Sequence, residues 1–145
     1  MVKTYRYGLL RRVGNAVIGR AVSWGIAPSI YVLLTVPGRR SGLPRTTPIR
    51  VLRFAGEEWL VAPYGVRDWV RNVRAAGAVT LRNGRHVRNA QVVEVSALEA
   101  GPVLRAYVAA EPVTRPFFEA RHGDPDHLFA AEAAFHPVFR LEKPR

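Results

Sequence analysis

Apolar and polar positions follow two different rhythms along this chain. In residues 4–25, Leu9, Leu10, Val13, Val17 and Trp24 recur at helical spacing, with Arg6, Arg11, Arg12 and Arg20 largely off their stripe. That pattern predicts a basic amphipathic helix within residues 1–29, ended by Pro28. Ile30 to Val36 is a dense, β-branched apolar run, as expected of a strand buried on both faces. Pro37, Gly38, Gly42 and Pro44 then mark an irregular loop. Thr46 to Phe54 predicts a second strand, whose early part Pro48 confines to an edge or a bulge. Gly56 turns the chain into a third strand, Trp59–Ala62.

Asp68 is placed to cap a short helix from Trp69 to Ala76, with Gly77 at its end. Ala78–Arg82, Asn83-Gly84 and His86–Val95 carry the clearest hairpin signal, because Asn-Gly accepts the positive φ angles of a tight turn. Ser96 to Glu99 has the form of a capping box opening a helix to about Ala110, with Pro102 perturbing its first turn. Short helices near 115–121 and 125–134 and a closing strand, Val138–Leu141, complete the chain. The sum is α+β: about six short, mostly antiparallel strands with peripheral helices, forming a small barrel. No repeat or linker divides residues 30–145, so they predict one domain, with residues 1–29 as an N-terminal helix upon it.

Length and composition narrow the function classes. At 145 residues the chain suits a single domain, and its 48% hydrophobic and 23% charged content argues against disorder. With no cysteine there is no disulfide, thiolate metal site or cysteine nucleophile. No apolar run reaches the length of a membrane span, and the arginine-bearing start lacks a signal-peptide block, so the expected location is the cytoplasm. The net charge of +11 is uneven. Residues 1–92 hold 16 cations and three anions, residues 93–145 six and eight. Such concentration suggests an anionic partner: phosphate groups, nucleic acid or a membrane surface.

Two motifs stand out. Pro37 to Pro48 combines Gly38 and Gly42 with Arg39, Arg40 and Arg45 and the hydroxyls of Ser41, Thr46 and Thr47. Glycines allow close backbone approach and arginines supply charged forks, as a polyphosphate tail requires; a solvated hairpin tip explains the same residues. It is neither a Walker loop nor a dinucleotide fingerprint. The second motif puts Trp69, Asn72, Val73 and Ala76 on one helical face, where a buried Asn72 amide needs a partner, either a strand backbone or a cofactor. Arg67, Arg71 and Arg74 lie along the opposite face. The His122–His127 stretch lacks the geometry and a third ligand cluster for metal, so none is expected. His136 reads as a hydrogen-bonded edge residue and Glu57-Glu58 as solvated. The arginines are not interleaved with exposed aromatics, against a nucleic-acid-binding module.

The order of apolar strand, Gly38-Arg39-Arg40-Ser41-Gly42-x-Pro44-Arg45-x-x-Pro48, strand Trp59–Ala62 and Trp69-x-x-Asn72 resembles the deazaflavin (F420)-dependent nitroreductases, small split β-barrel proteins. The resemblance is specific over residues 31–82 and looser to Leu141. It implies an oxidoreductase passing hydride from reduced F420 to a small electron-poor acceptor: a quinone, an enone or a nitroaromatic. It places the acidic tail of F420 on Arg39, Arg40, Ser41 and Arg45, and flanks its ring with Thr46, Thr47, Pro48 and Ile49. Val61, Ala62, Pro63 and Tyr64 then pass beneath the ring, and Asp68, Trp69, Val70, Arg71 and Asn72 close the pocket. Phe117 and Phe118 stand where better-known members offer a tyrosine, and with Trp24 they are the substrate-side candidates. Here the loop from Gly65 to Trp69 is shorter and carries Arg67. No catalytic acid stands out; the expected proton source is solvent, with backbone N–H groups near Pro63–Gly65 polarising acceptor or ring. A sister split barrel holding flavin mononucleotide (FMN) is the alternative cofactor reading. Split barrels of this kind often pair as homodimers, and residues 4–25 offer a peripheral contact with the inner membrane face.

Overall fold

Val32, Leu34 and Val36 point one way from the first strand into the core, while Tyr31, Leu33 and Thr35 alternate with them and stay half-buried. The computed structural model describes residues 30–143; the helix expected at 4–25, and Trp24 with it, lies outside the described residues. That strand, β1 (Tyr31–Pro37), is buried on one face, not both. Its polar Thr35 and the phenol of Tyr31 need a wetter side.

After β1 come β2 (Pro44–Arg50), β3 (Leu52–Phe54), β4 (Glu57–Val61), α1 (Asp68–Ala76), β5 (Ala78–Asn83) and β6 (His86–Glu94). Then follow α2 (Ala97–Ala110), a 3₁₀ turn (Pro112–Phe117), α3 (Asp126–Ala130) and β7 (Val138–Glu142). The seven strands form one antiparallel sheet in the order β2-β1-β5-β6-β7-β4-β3. β2 and β3, neighbours in the chain, are thus the two opposite edges. The sheet curls into a half-barrel so that a single residue, Val51, carries the chain from one edge to the other. The expected second strand breaks there, which makes seven strands where about six were expected. Val51 faces one core and Leu52 the other, so the corner is held by burial on both sides.

The first core fills the barrel: Val32, Leu34, Leu60, Val70, Val73, Leu81 and Phe139 meet inside it. The second lies between the outer face of β4 and β7 and the helices, where Trp59, Val61, Leu104, Phe129 and Val138 pack together. β4 and β7 therefore alternate between two cores and are the strands buried on both faces. Each large side chain so buried contributes about 1.5–3 kcal/mol.

Local signals mostly hold, with shifts of one position. Gly77 ends α1 at φ +71°, its N–H donating to Val73 O at 2.8 Å. Asp68 is the first helical residue instead of the cap; Arg67 precedes it and makes no side-chain cap. The hairpin turn is Gly84-Arg85, since Asn83 still pairs with His86 and its Nδ2 donates to Tyr31 O across the sheet. Ser96 caps α2, its Oγ accepting from Glu99 N at 3.3 Å.

Candidate functional site

The β1–β2 connection is a closed loop. Gly38 N–H donates to Leu43 O and Gly42 N–H to Gly38 O, both at 2.8 Å. Gly42 holds φ +73°, a conformation costly for any residue with a Cβ. A Cβ on Gly38 would come within 3.0 Å of Ser41 Oγ, which instead accepts from Leu43 N. Asn72, only 4% exposed, ties this loop to α1: its Oδ1 accepts from Arg39 N at 3.0 Å and from Arg39 Nη1 at 2.9 Å. The amide oxygen's partner is therefore Arg39 of the loop, through both backbone and guanidinium, and not a strand backbone. Arg39 Nη2 also reaches Asp68 Oδ1 at 3.4 Å.

A cleft runs from this loop along β2. Its basic part, about 680 Å³, is lined by Arg39, Arg40, Ser41 and Arg45 together with Asn72. Its more apolar part, about 580 Å³, is walled by Pro48, Ile49, Val61, Pro63 and Tyr64. Thr46, Thr47, Asp68 and Trp69 line both, so the two parts join. β2 is an open edge here. Val51 N–H donates to Ile30 O at 2.6 Å, and antiparallel alternation then turns the main-chain polar groups of Arg50, Pro48 and Thr46 outward. Pro48 consequently forfeits no ladder bond, as its expected edge position requires.

Three of the expected pocket residues lie elsewhere. Ala62 is buried beneath the floor and Val70 lies wholly in the first core. Arg71 is exposed on the outer side of α1, 3.6 Å from Asp68 Oδ1. The buried face of α1 is Val70, Asn72 and Val73, with Trp69 half-buried against the core and Ala76 exposed, because the helix leans its Val70–Val73 side into the barrel. Of the outward arginines, Arg74 makes a two-point pair with Glu94 at 2.7 and 2.8 Å. Glu58 is likewise not merely solvated; Arg88 grips both its oxygens and holds the carboxyl below its ordinary range.

Phe118 does not line the cleft. It is buried in the second core, stacked on the His136 ring at 3.9 Å. Phe117 stays half-buried and meets Tyr64 edge-on at 5.0 Å. His136 is no edge residue either: at 1% exposure it lies between Ala62 O and Phe117 O, each 3.1 Å from a ring nitrogen. Burial pushes its pKa down, outweighing those carbonyls and nearby Glu132, which pull it up. Gly65 N–H turns back to Ala62 O at 3.4 Å, so it is not aimed at an acceptor.

Tyr31, Arg50, Tyr107 and Glu111, polar residues at the apolar part, have no counterpart in the sequence reading. Tyr31 hydroxyl donates to Glu111 Oε1 at 2.8 Å, and Arg50 Nη1 donates to the same oxygen. Burial, reinforced by Glu111, raises the Tyr31 pKa, and deeper burial raises that of Tyr107 further. They come from β1, β2 and the end of α2, and no local motif joins them. Among the described residues no cluster of His, Asp and Glu could hold a metal ion, and no helix is long and apolar enough to cross a membrane.

Among curated proteins none matches the chain. Solved structures share its fold. An F420-H2 dependent reductase, FDR-A, superposes with a TM-score of 0.56 at 23% identity, covering 79% of this chain and 95% of its own. A protein described as a domain-swapped dimer gives 0.57 at 20% identity, covering 92% and 96%. An FAD-binding protein from Mesorhizobium loti gives 0.52 at 14%, covering 90% of each chain. These likenesses establish a split-barrel fold. The family described as F420H(2)-dependent quinone reductase matches residues 9–127, most of the chain. The protein belongs to the F420H(2)-dependent quinone reductase family, and is thereby an F420-dependent oxidoreductase.

Proposed function

We propose that the cleft binds reduced F420 lengthwise, its acidic tail at the arginine loop and its ring at the apolar part, and that the acceptor is a quinone. The observation that carries this reading is the continuity of the two parts through Thr46, Thr47, Asp68 and Trp69. A flat ring joined to a polyanionic tail needs one apolar and one cationic compartment in series. Arg40 and Arg45, exposed at the loop, supply charged hydrogen bonds to the tail. Arg39, already tied to Asn72, fixes the loop that presents them.

Reduced F420 supplies the hydride. The chain's part is to hold ring and acceptor face to face and exclude water between them. Val61, Pro63 and Tyr64 form the floor, with Trp69 and Ile49 as walls. Enones and nitroaromatics suit the same wall and are secondary acceptors. The basic amphipathic segment 4–25 brings the cytoplasmic enzyme to the inner membrane face, where lipophilic quinones reside.

The test is a fluorescence titration of F420 into the purified protein at low and high salt, with FMN in parallel. Arg40→Ala/Arg45→Ala should weaken F420 binding by several kcal/mol, at about 1.5–3 kcal/mol for each charged hydrogen bond. Unchanged affinity in the double variant, or FMN binding more tightly than F420, would remove the reading.

A further inference from the structure

Resting on the reading of the cleft just given, we propose that Arg50 is the group that receives the negative charge developing on the acceptor oxygen, with Glu111 and Tyr31 as its positioning residues. Arg50 closes β2 directly opposite Tyr31 in the β1–β2 register, at the end of the cleft away from the arginine loop. One carboxylate oxygen of Glu111 takes hydrogen bonds from both Arg50 Nη1 and the Tyr31 hydroxyl. That anchors one arm of the guanidinium. Both members of the pair are shielded, with side chains 17% and 14% exposed.

The rest of the fork is not used up. Arg50 Nε is buried and has no hydrogen-bond partner. A guanidinium offers five N–H donors in one plane, and a buried donor without an acceptor calls for an explanation. The Arg50 side chain lines the cleft beside Ile49, Val61 and Val113 and keeps 17% of its surface exposed, although Nε itself is covered. In such a low-dielectric setting a fixed cation is worth far more to a developing anion than it is in water. Tyr31 is poorly suited as the acid: its proton is engaged by Glu111 and burial raises its pKa.

The step balances without a further partner. Hydride from reduced F420 carries two electrons and a proton to the quinone. The hydride forms a new O–H bond at one quinone oxygen, and the conjugated π electrons shift through the ring so that a pair ends on the opposite oxygen. Arg50 pairs with that anion, and a solvent water protonates it to the hydroquinone, its hydroxide passing to bulk. The cofactor is oxidised and the quinone reduced. The cleft thereby selects acceptors whose reduction leaves charge on a ring oxygen.

Two probes separate charge recognition from shape. 2-Hydroxy-1,4-naphthoquinone, ionised at neutral pH, mimics the anion; 2-methyl-1,4-naphthoquinone is neutral and of similar size. Calorimetric titration of the wild-type protein should show tighter binding of the anion. Arg50→Gln should lose that preference at least tenfold while its affinities for the neutral probe and for F420 stay within about twofold. With the neutral quinone kcat should fall at least tenfold while KM changes little. Arg50→Lys keeps the charge and covers the case in which Gln does not fold; its preference should be intermediate or lost. Glu111→Gln, whose neutral amide holds the fork more weakly, should give a smaller loss of the same kind. Equal loss for both probes, or none, in the folded Arg50 variant overturns the proposal. A wild-type protein that takes up F420 yet shows no preference between the probes sinks the Arg50 role alone, whereas failure to take up F420 sinks the reading beneath it.

Discussion

Removing the Asn72 side chain tests whether the arginine loop is pre-set or merely available. Asn72→Ala deletes one acceptor that serves two donors, Arg39 N at 3.0 Å and Arg39 Nη1 at 2.9 Å. An ordinary hydrogen bond contributes about 0.5–1.5 kcal/mol net and one to a charged group about 1.5–3 kcal/mol. Because both share a single oxygen, the lower ends apply, giving a loss of about 2–3 kcal/mol. For a domain of this size that is a fall in Tm of roughly 8–12 °C. The freed loop must then be ordered on binding, at about 1–2 kcal/mol per residue fixed, so F420 affinity should drop roughly tenfold or more. Asn72→Asp is the control, since a carboxylate still accepts from both donors and adds an ion pair with Arg39; it should melt near the wild type. Thermal melts followed by tryptophan fluorescence, with F420 titrations on the same samples, check both numbers. If Asn72→Ala melts within 2 °C of wild type with unchanged affinity, or if Asp harms as much as Ala, the tie does not hold the loop.

Two further outcomes concern the second core. Gly101→Ala should destabilise by about 1–2 kcal/mol, because the new Cβ would lie 2.7 Å from Asp126 O and 3.1 Å from Ala130 Cβ, and overpacking of about 1–3 kcal/mol outweighs the helix gain of about 1 kcal/mol; a raised urea midpoint would refute this. His136 has its pKa lowered by burial from the ordinary 6.5, so the unfolded chain takes up the proton first. Its contribution is whole above pH 6.5 and declines as pH falls from there toward the folded value; urea midpoints between pH 7.5 and 5.5 should fall in the wild type and flatten in His136→Gln, and identical slopes would exclude this origin.

What could be read from the chain divides along physical lines. Gly38, Gly42 and Gly77 were legible because a backbone conformation or a close approach admits little else at those places. The polar Asn72 on an apolar helix face was legible as a residue needing a partner, though its partner was not, because the loop folds back over α1 only in three dimensions. Helical spacing placed Ala76 inside and the resemblance placed Val70 in the pocket; packing of the barrel turned the helix so that Val70 joins Val73 facing in. Phe117 and Phe118 look alike in sequence, yet one borders Tyr64 and the other stacks on His136. The Tyr31–Glu111 and Arg50–Glu111 contacts span 80 and 61 residues and leave no local trace. The break at Val51 left only a shift of the apolar positions, from Ile49 and Val51 to Leu52 and Phe54, whose meaning depends on which core each side chain enters.

That corner explains why the cleft is where it is. A strand that ends one edge and at once begins the other cannot be covered by a neighbour along its own length, so β2 keeps open main-chain groups beside α1. An open edge is ordinarily a liability for aggregation, blunted by proline and charge. β2 has both, with Pro44, Pro48, Arg45 and Arg50 in seven residues, yet it also borders the cleft along nearly its full length. On the proposed reading the strand is then a ruler. Arg45 grips the tail and Arg50 faces the acceptor oxygen; five residues of extended chain set them about 16 Å apart at roughly 3.3 Å per residue. A rigid spacing of that kind lets one edge strand decide both how the cofactor lies and which end of it can reach an acceptor. Lengthening β2 by two residues would keep every side chain on its face and yet move the tail grip about 7 Å farther from the acceptor site, so cofactor binding and turnover would part company without any contact being deleted.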